Sequence, residues 1–143
     1  MPSSCILYFS QTGNTEKVAY TISGRFQAEG LEQIILHMDD ANDFPEAYEE
    51  ADILGLGFPT FFGYPPPNVM RFIEGLDGKG KSAFVFTTYG GCTAGDSLYD
   101  AAQALAVKGY AILGGLKVEG ADNYPQSIWL KINEGRPNDS DLA

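Results

Sequence analysis

The sequence predicts an α/β fold: a doubly wound, five-stranded parallel sheet in the order 2-1-3-4-5, built as one domain over residues 1–143. Three observations carry that prediction. Short apolar runs alternate with segments whose apolar residues recur at helical spacing. The runs lack polar alternation, as strands covered on both faces do in a parallel sheet. A chain of 143 residues supports one domain with a substantial core, which favours five strands in this order over a full Rossmann fold.

Taken in order, Cys5-Ile6-Leu7-Tyr8-Phe9 reads as a buried strand, and Val18, Ile22 and Phe26, four residues apart, as the inner face of a helix. Leu31 to Leu36, entered through Gly30, is the second strand. An acidic connection from Met38 to Ala51 holds at most a short helix around Ala47-Tyr48-Glu49. Ile53 to Phe58 is the third strand. Pro65-Pro66-Pro67 suits a loop that ends in the first turn of a helix, one that carries Val69, Phe72, Ile73 and Leu76 on one face. Ala83 to Thr87 is the fourth strand. A glycine-rich loop follows, then a helix with Leu98, Ala101, Ala102 and Leu105, closed by Gly109. Tyr110 to Val118 is the fifth strand, and Gly114-Gly115 within it marks a bulge. Glu119 to Arg136 reads as a long loop, partly stranded near Ser127 to Ile132. Pro137 to Ala143 looks like the cap and first turn of a helix that is not completed. A sheet of this order usually needs a final helix beside strands 1 and 5, so the last helix is expected to be truncated and the domain to be cut from a longer polypeptide; the competing reading is a natural terminus whose exposed face is covered by a partner or a second copy.

Composition bounds the function. A hydrophobic share of 44% with 13% aromatics describes a globular chain. A net charge of −10 argues against nucleic-acid binding and favours partners with basic docking faces. Two cysteines and one histidine are too few for a zinc or iron–sulfur site made by this chain alone, so no metal site is expected. There is no secretory leader pattern, and no apolar run approaches the roughly 18 residues of a membrane span. A cytoplasmic protein with no membrane partner is the expectation.

In a parallel sheet, ligands sit beyond the carboxyl ends of the strands where the strand order reverses. The loops after strands 1, 3 and 4 meet there. The first, Ser10-Gln11-Thr12-Gly13-Asn14-Thr15, combines three hydroxyls, two amides and a glycine at a helix N-terminus, with no charge. Unpaired N–H groups and the helix dipole suit a phosphate there, held by neutral groups rather than being transferred; a plain capped turn is the competing reading. The second, Phe58-Pro59-Thr60-Phe61-Phe62-Gly63-Tyr64, places aromatics where they could wall a slot for a planar ring, or pack on the next helix. The third runs from Thr87 to Asp96; its glycines leave the backbone approachable, and Tyr89 offers an opposing wall.

"SQTGNT", "GLGFPTFFGYPPPNVMRF" and "FTTYGG" resemble the flavodoxin family, and closest the flavodoxin-like modules often fused to bacterial-type ferredoxin domains. The resemblance extends from Ser3 to Leu142. It implies FMN, with Ser10, Gln11, Thr12, Gly13, Asn14 and Thr15 holding the phosphate. Pro59, Thr60, Phe61 and Phe62 would flank the isoalloxazine on one side. Thr88, Tyr89, Gly90 and Gly91 would flank it on the other and offer backbone hydrogen bonds to the pyrimidine edge. Gly63 is the residue best able to allow the peptide flip that, in the family, accepts from the reduced N5–H. Two features depart from the pattern: the only tryptophan, Trp129, lies far from the second loop, and Asp96-Ser97-Leu98-Tyr99 echoes a stacking motif, making Tyr99 a rival to the favoured Tyr89.

The resemblance implies an electron carrier or electron-transfer domain, shuttling one electron at a time through a flavin semiquinone to a redox protein or a fused iron–sulfur, ferredoxin-like domain. The alternative is an NAD(P)H-dependent quinone or flavin reductase using bound FMN, a chemistry commonly housed at a homodimer interface. The three loops carry no lysine or arginine for a dinucleotide phosphate, so a carrier is favoured over a self-sufficient enzyme, and no catalytic residue is assigned. Gly75 to Ser82 spells G-x-x-x-x-G-K-S, but a helix precedes it and a strand follows, the reverse of a phosphate-binding P-loop. A response-regulator receiver would need acidic residues where strand 1 ends in Ser10. Cys92 has no evident base, and His37 is placed on strand 2, away from the loops.

Overall fold

A computed structural model describes residues 2–10, 13–60, 63–89 and 96–119. Along the chain run β1 (Ser3–Tyr8), α1 (Asn14–Ala28), β2 (Glu32–His37), a 3-10 helix (Met38–Asp43), α2 (Pro45–Glu49) and β3 (Ile53–Pro59). Then follow α3 (Pro67–Glu74), β4 (Ser82–Tyr89), α4 (Ser97–Val107) and β5 (Ala111–Glu119). The strands form one five-stranded sheet, β2-β1-β3-β4-β5, and every pairing is parallel. The expected fold class and strand order are observed. The segment expected to hold the truncated last helix lies outside the described residues.

Because successive side chains in a strand face opposite ways, each inner strand serves two cores. Cys5, Leu7, Leu54, Leu56, Phe58, Ala83 and Val85 pack with Val69, Ile73, Ala101 and Leu105 of α3 and α4. Ile6, Tyr8 and Phe86 pack with Val18 and Ala19 of α1 on the other side. β3 presents glycines to that second side, Gly55 and Gly57, paired in register with Phe84 and Phe86. The two phenylalanine rings lie across the glycines, stacked with centroids 6.2 Å apart.

Three local features differ from the sequence-based expectation. β2 is an edge strand, and Ile34 within it stands half exposed, so it is not covered on both faces as the inner strands are. The acidic connection holds more regular structure than a single short helix. His37 Nδ1 accepts from the Asp39 N–H at 3.0 Å and starts the 3-10 helix, and Pro45 at its first turn starts α2. The bulge in β5 falls one residue before the glycine pair: Ile112 pairs with Ala83 and Gly114 with Phe84, leaving Leu113 as the extra residue.

The G-x-x-x-x-G-K-S segment joins α3 to β4, so it cannot open a helix onto a phosphate. Its role is mechanical. The Gly78 N–H donates to the Lys108 carbonyl at 2.7 Å and the Gly80 N–H to the Gly109 carbonyl at 2.9 Å, joining the turns before β4 and β5. A Cβ at Gly78 would stand 2.6 Å from the Tyr110 nitrogen, so the two backbones approach this closely only with glycine there. No helix among the described residues is long and apolar enough to cross a membrane.

Candidate functional site: three loops on a hydroxyl floor

The carboxyl ends of β1, β3 and β4 lie side by side in the sheet and bring the three loops to one pole. Of the residues assigned by sequence, Ser10, Gly13, Asn14, Thr15, Pro59, Thr60, Gly63, Thr88 and Tyr89 are gathered there. Gln11, Thr12, Phe61, Phe62, Gly90 and Gly91 lie outside the described residues, as do Cys92, Tyr124 and Trp129.

Loop 1 turns into α1 through Gly13, whose φ of +90° is left-handed and disfavoured for residues with a Cβ. The N-cap residue, Gly13, has no side chain with which to close the helix. Ser10 Oγ accepts from the Gly13 N–H at 3.0 Å, tying the residue after β1 to the start of α1. Thr15, in the first turn, is buried, and its hydroxyl lies 2.9 Å from that of Thr88 at the end of β4. A helix N-terminus entered through glycine, in a loop of neutral polar residues with no lysine or arginine, has the donor chemistry that suits a bound phosphate monoester.

His37 corrects one sequence-based expectation: it is not away from the loops. β1 and β2 are in register with Tyr8 opposite His37, which sets the imidazole beside the start of loop 1. Its Nδ1 accepts from Asp39, so the proton sits on Nε2, which donates to the Ser10 carbonyl at 3.4 Å. The ring is flanked edge-on by Tyr8 and Phe9.

Under loops 2 and 3 lies a set of buried hydroxyls that the sequence did not reveal. Thr60 Oγ1 is 2.7 Å from Thr87 Oγ1 and 2.9 Å from Ser97 Oγ, and Thr87 Oγ1 donates to the Phe58 carbonyl at 2.7 Å. The Thr60 N–H donates to the Thr88 carbonyl at 2.8 Å. Thr87 and Ser97 are wholly buried. The available signal was the pair Thr87-Thr88, two polar residues closing an otherwise apolar strand. Ser97, at the start of a helix, reads in sequence as an ordinary cap.

Of the aromatic candidates, Tyr89 is half-buried at the end of β4, whereas Tyr99 on α4 and Tyr64 after loop 2 are 67% and 63% exposed. Tyr64 borders an open apolar groove between α3 and α4, whose only charged lining residue is Asp100. That groove lies to the side of loop 2 and offers no donor set for phosphate. The Cys5 thiol is buried in β1, and desolvation pushes its pKa up to about 12, so it has no nucleophilic role near neutral pH.

Residues 5–133 match the Flavodoxin domain family. The chain belongs to that family. Flavodoxin domains are flavin-binding electron-transfer modules, and in open α/β sheets generally ligands bind beyond the carboxyl ends of the strands. The chain is 28% identical over 131 residues to the uncharacterized protein MJ0298 of Methanocaldococcus jannaschii, covering 90% of this chain and 83% of that protein. It is 31% identical over 120 residues to the flavodoxin-like domain-containing protein BilS of Clostridioides difficile, covering 82% of this chain and 65% of BilS, just under two thirds of that protein's length. Among solved structures, a flavodoxin from the domain Archaea superposes with a TM-score of 0.79 at 19% identity, over 98% of this chain and 88% of that one.

Proposed function

We propose that this flavodoxin domain binds FMN and works as a one-electron carrier or electron-transfer domain. The observation that carries the reading is loop 1: a helix N-terminus entered through left-handed Gly13, whose N–H is met by Ser10 Oγ, in a loop without lysine or arginine. Those groups suit the terminal phosphate of a tightly held cofactor. Ser10, Gln11, Thr12, Gly13, Asn14 and Thr15 would hold it. Pro59, Thr60, Phe61, Phe62 and Gly63 would border the ring on one side, and Thr88, Tyr89, Gly90 and Gly91 on the other. When bound, FMN supplies the redox chemistry, taking up and releasing electrons singly.

The protein's part is to hold the ring in place and to set the charge around it. With a net charge of −10, the chain suits a redox partner that presents a basic face, or an iron–sulfur domain joined to it. Loops without lysine or arginine give no grip on a dinucleotide phosphate, which disfavours the NAD(P)H-dependent reductase. A cytoplasmic setting fits this reading.

The test is a visible spectrum of the purified protein with FMN added, followed by anaerobic photoreduction. Flavin bands perturbed by binding, then a spectrally distinct one-electron-reduced flavin, are expected. Rapid oxidation of NADPH by the isolated protein would move the assignment to the reductase. A protein that leaves the FMN spectrum unchanged would remove the cofactor reading.

A further inference from the structure

The hydroxyl floor divides into two parts that differ in proton count, and we infer that they do different jobs: Ser97, Thr60 and Thr87 form a closed relay that positions loop 2, while Thr15, bonded to Thr88, keeps a donor for the phosphate. The inference rests on the FMN reading and extends it to Ser97 and Thr87, to which that reading gives no role.

Each hydroxyl carries one proton. The Phe58 carbonyl can only accept, so the 2.7 Å contact from Thr87 Oγ1 fixes the Thr87 proton there. Thr87 then has no proton left for Thr60, and the 2.7 Å contact between them must use the proton of Thr60. Thr60 is spent in turn, so its 2.9 Å contact with Ser97 uses the proton of Ser97. The chain runs one way, Ser97 to Thr60 to Thr87 to the Phe58 carbonyl, and all three protons are consumed. The Thr60 N–H is also consumed, by the Thr88 carbonyl at 2.8 Å. Thr60 thus has no donor to give a ligand: it is held, and through it loop 2 is held against β4 and the start of α4.

The other part is open. Thr15 and Thr88 carry two protons between them, and their contact at 2.9 Å uses one. Among the described residues nothing takes the second, at the N-terminus of α1 beside loop 1. The division follows from strand geometry. Thr87 and Thr88 are neighbours in β4, so their side chains leave opposite faces of the sheet, one towards α4 and one towards α1. One dipeptide serves both halves of the site.

The halves separate by ligand, because riboflavin carries the ring of FMN without its phosphate. Titrating FMN and riboflavin into the wild-type protein, Ser97→Ala, Thr87→Val and Thr15→Val, followed by quenching of flavin fluorescence, reads both. Breaking the relay is expected to weaken FMN and riboflavin by the same factor, roughly fivefold or more for one buried hydrogen bond. It is also expected to shift the midpoint potential of bound FMN, which a loss of stability alone would not do. Thr15→Val, at the phosphate end, is expected to weaken FMN by a similar factor and to leave riboflavin and the potential unchanged. If Ser97→Ala melts below the assay temperature, Ser97→Cys keeps the size with a poorer donor and is read the same way.

Relay variants that leave both affinities and the potential at wild-type values, or that weaken FMN alone, overturn the inference. So does a Thr15→Val variant that weakens both flavins equally. A wild-type protein that binds neither flavin overturns the FMN reading itself, and that control tells the two failures apart.

Discussion

The ring of Phe86 fills the space that a side chain on Gly57 would occupy: a Cβ built at Gly57 would stand 2.1 Å from two of its ring carbons. Gly55 stands in the same relation to Phe84, at 2.3 Å. Two residues of β4 therefore supply the apolar surface that β3 does not, on the face packed by α1. Gly57→Ala is expected to force the ring out of a close-packed site and to cost about 1–3 kcal/mol, seen as a lower urea midpoint. Adding Phe86→Leu should recover part of that loss, so the double mutant is more stable than the sum of the single changes requires. Additive losses would mean that the ring moves aside freely.

Cys5 gives a pH dependence with a definite sign. The unfolded chain releases this thiol proton near its ordinary value of 9.0, whereas burial in the folded protein pushes the pKa up to about 12. Between those values the unfolded state binds fewer protons. The contribution is fully present below the unfolded pKa and is lost as pH rises towards the folded one, by at most about 1.4 kcal/mol per pH unit. Urea midpoints of the wild-type protein should fall more steeply between pH 9 and 10.5 than those of Cys5→Ala, the range lying inside the two values. Parallel slopes would show that burial of this thiol does not govern the alkaline loss.

Gly13 and Gly30 bracket α1 with φ of +90° and +92°, and neither position is crowded: a Cβ on either would meet nothing within 4 Å. Alanine at either site should cost about 1–2 kcal/mol through backbone strain alone. Only Gly13→Ala should also weaken FMN, because Gly30 lies at the far end of the helix. Melting curves beside flavin titrations separate the two effects.

The two nitrogens of His37 can be tested one at a time. His37→Asn keeps an acceptor for the Asp39 N–H but cannot reach the Ser10 carbonyl; His37→Gln makes the opposite exchange. The asparagine variant should bind FMN more weakly, by about 1 kcal/mol, and the glutamine variant should stay nearer to wild type. The reverse order of affinities would put the role of His37 in the 3-10 helix rather than in loop 1.

The fold was legible in sequence because inner strands such as Ile53 to Phe58 are apolar without alternation and each is followed by a helical spacing. Loop 1 was legible because its hydroxyls, glycine and lack of charge are contiguous. His37 was misplaced for a physical reason: 27 residues separate it from Ser10, and only the β1–β2 register makes them neighbours. The Ser97–Thr60–Thr87 relay was hidden for the same reason, since each member lies on a different element and looks, taken singly, like a cap or a strand end.

The glycine turns before β4 and β5 have a counterpart in how the molecule should open. At that end, main chain is bonded to main chain, through Gly78 to Lys108, Gly80 to Gly109 and Ala111 to Lys81. At the other end, the loops are joined largely by side-chain hydroxyls, which can let go singly without unpairing a strand. Amide hydrogen exchange should follow that asymmetry, slow around Gly80 and Ala111 and faster at Gly13, so that the domain breathes from the loop end while its base stays shut.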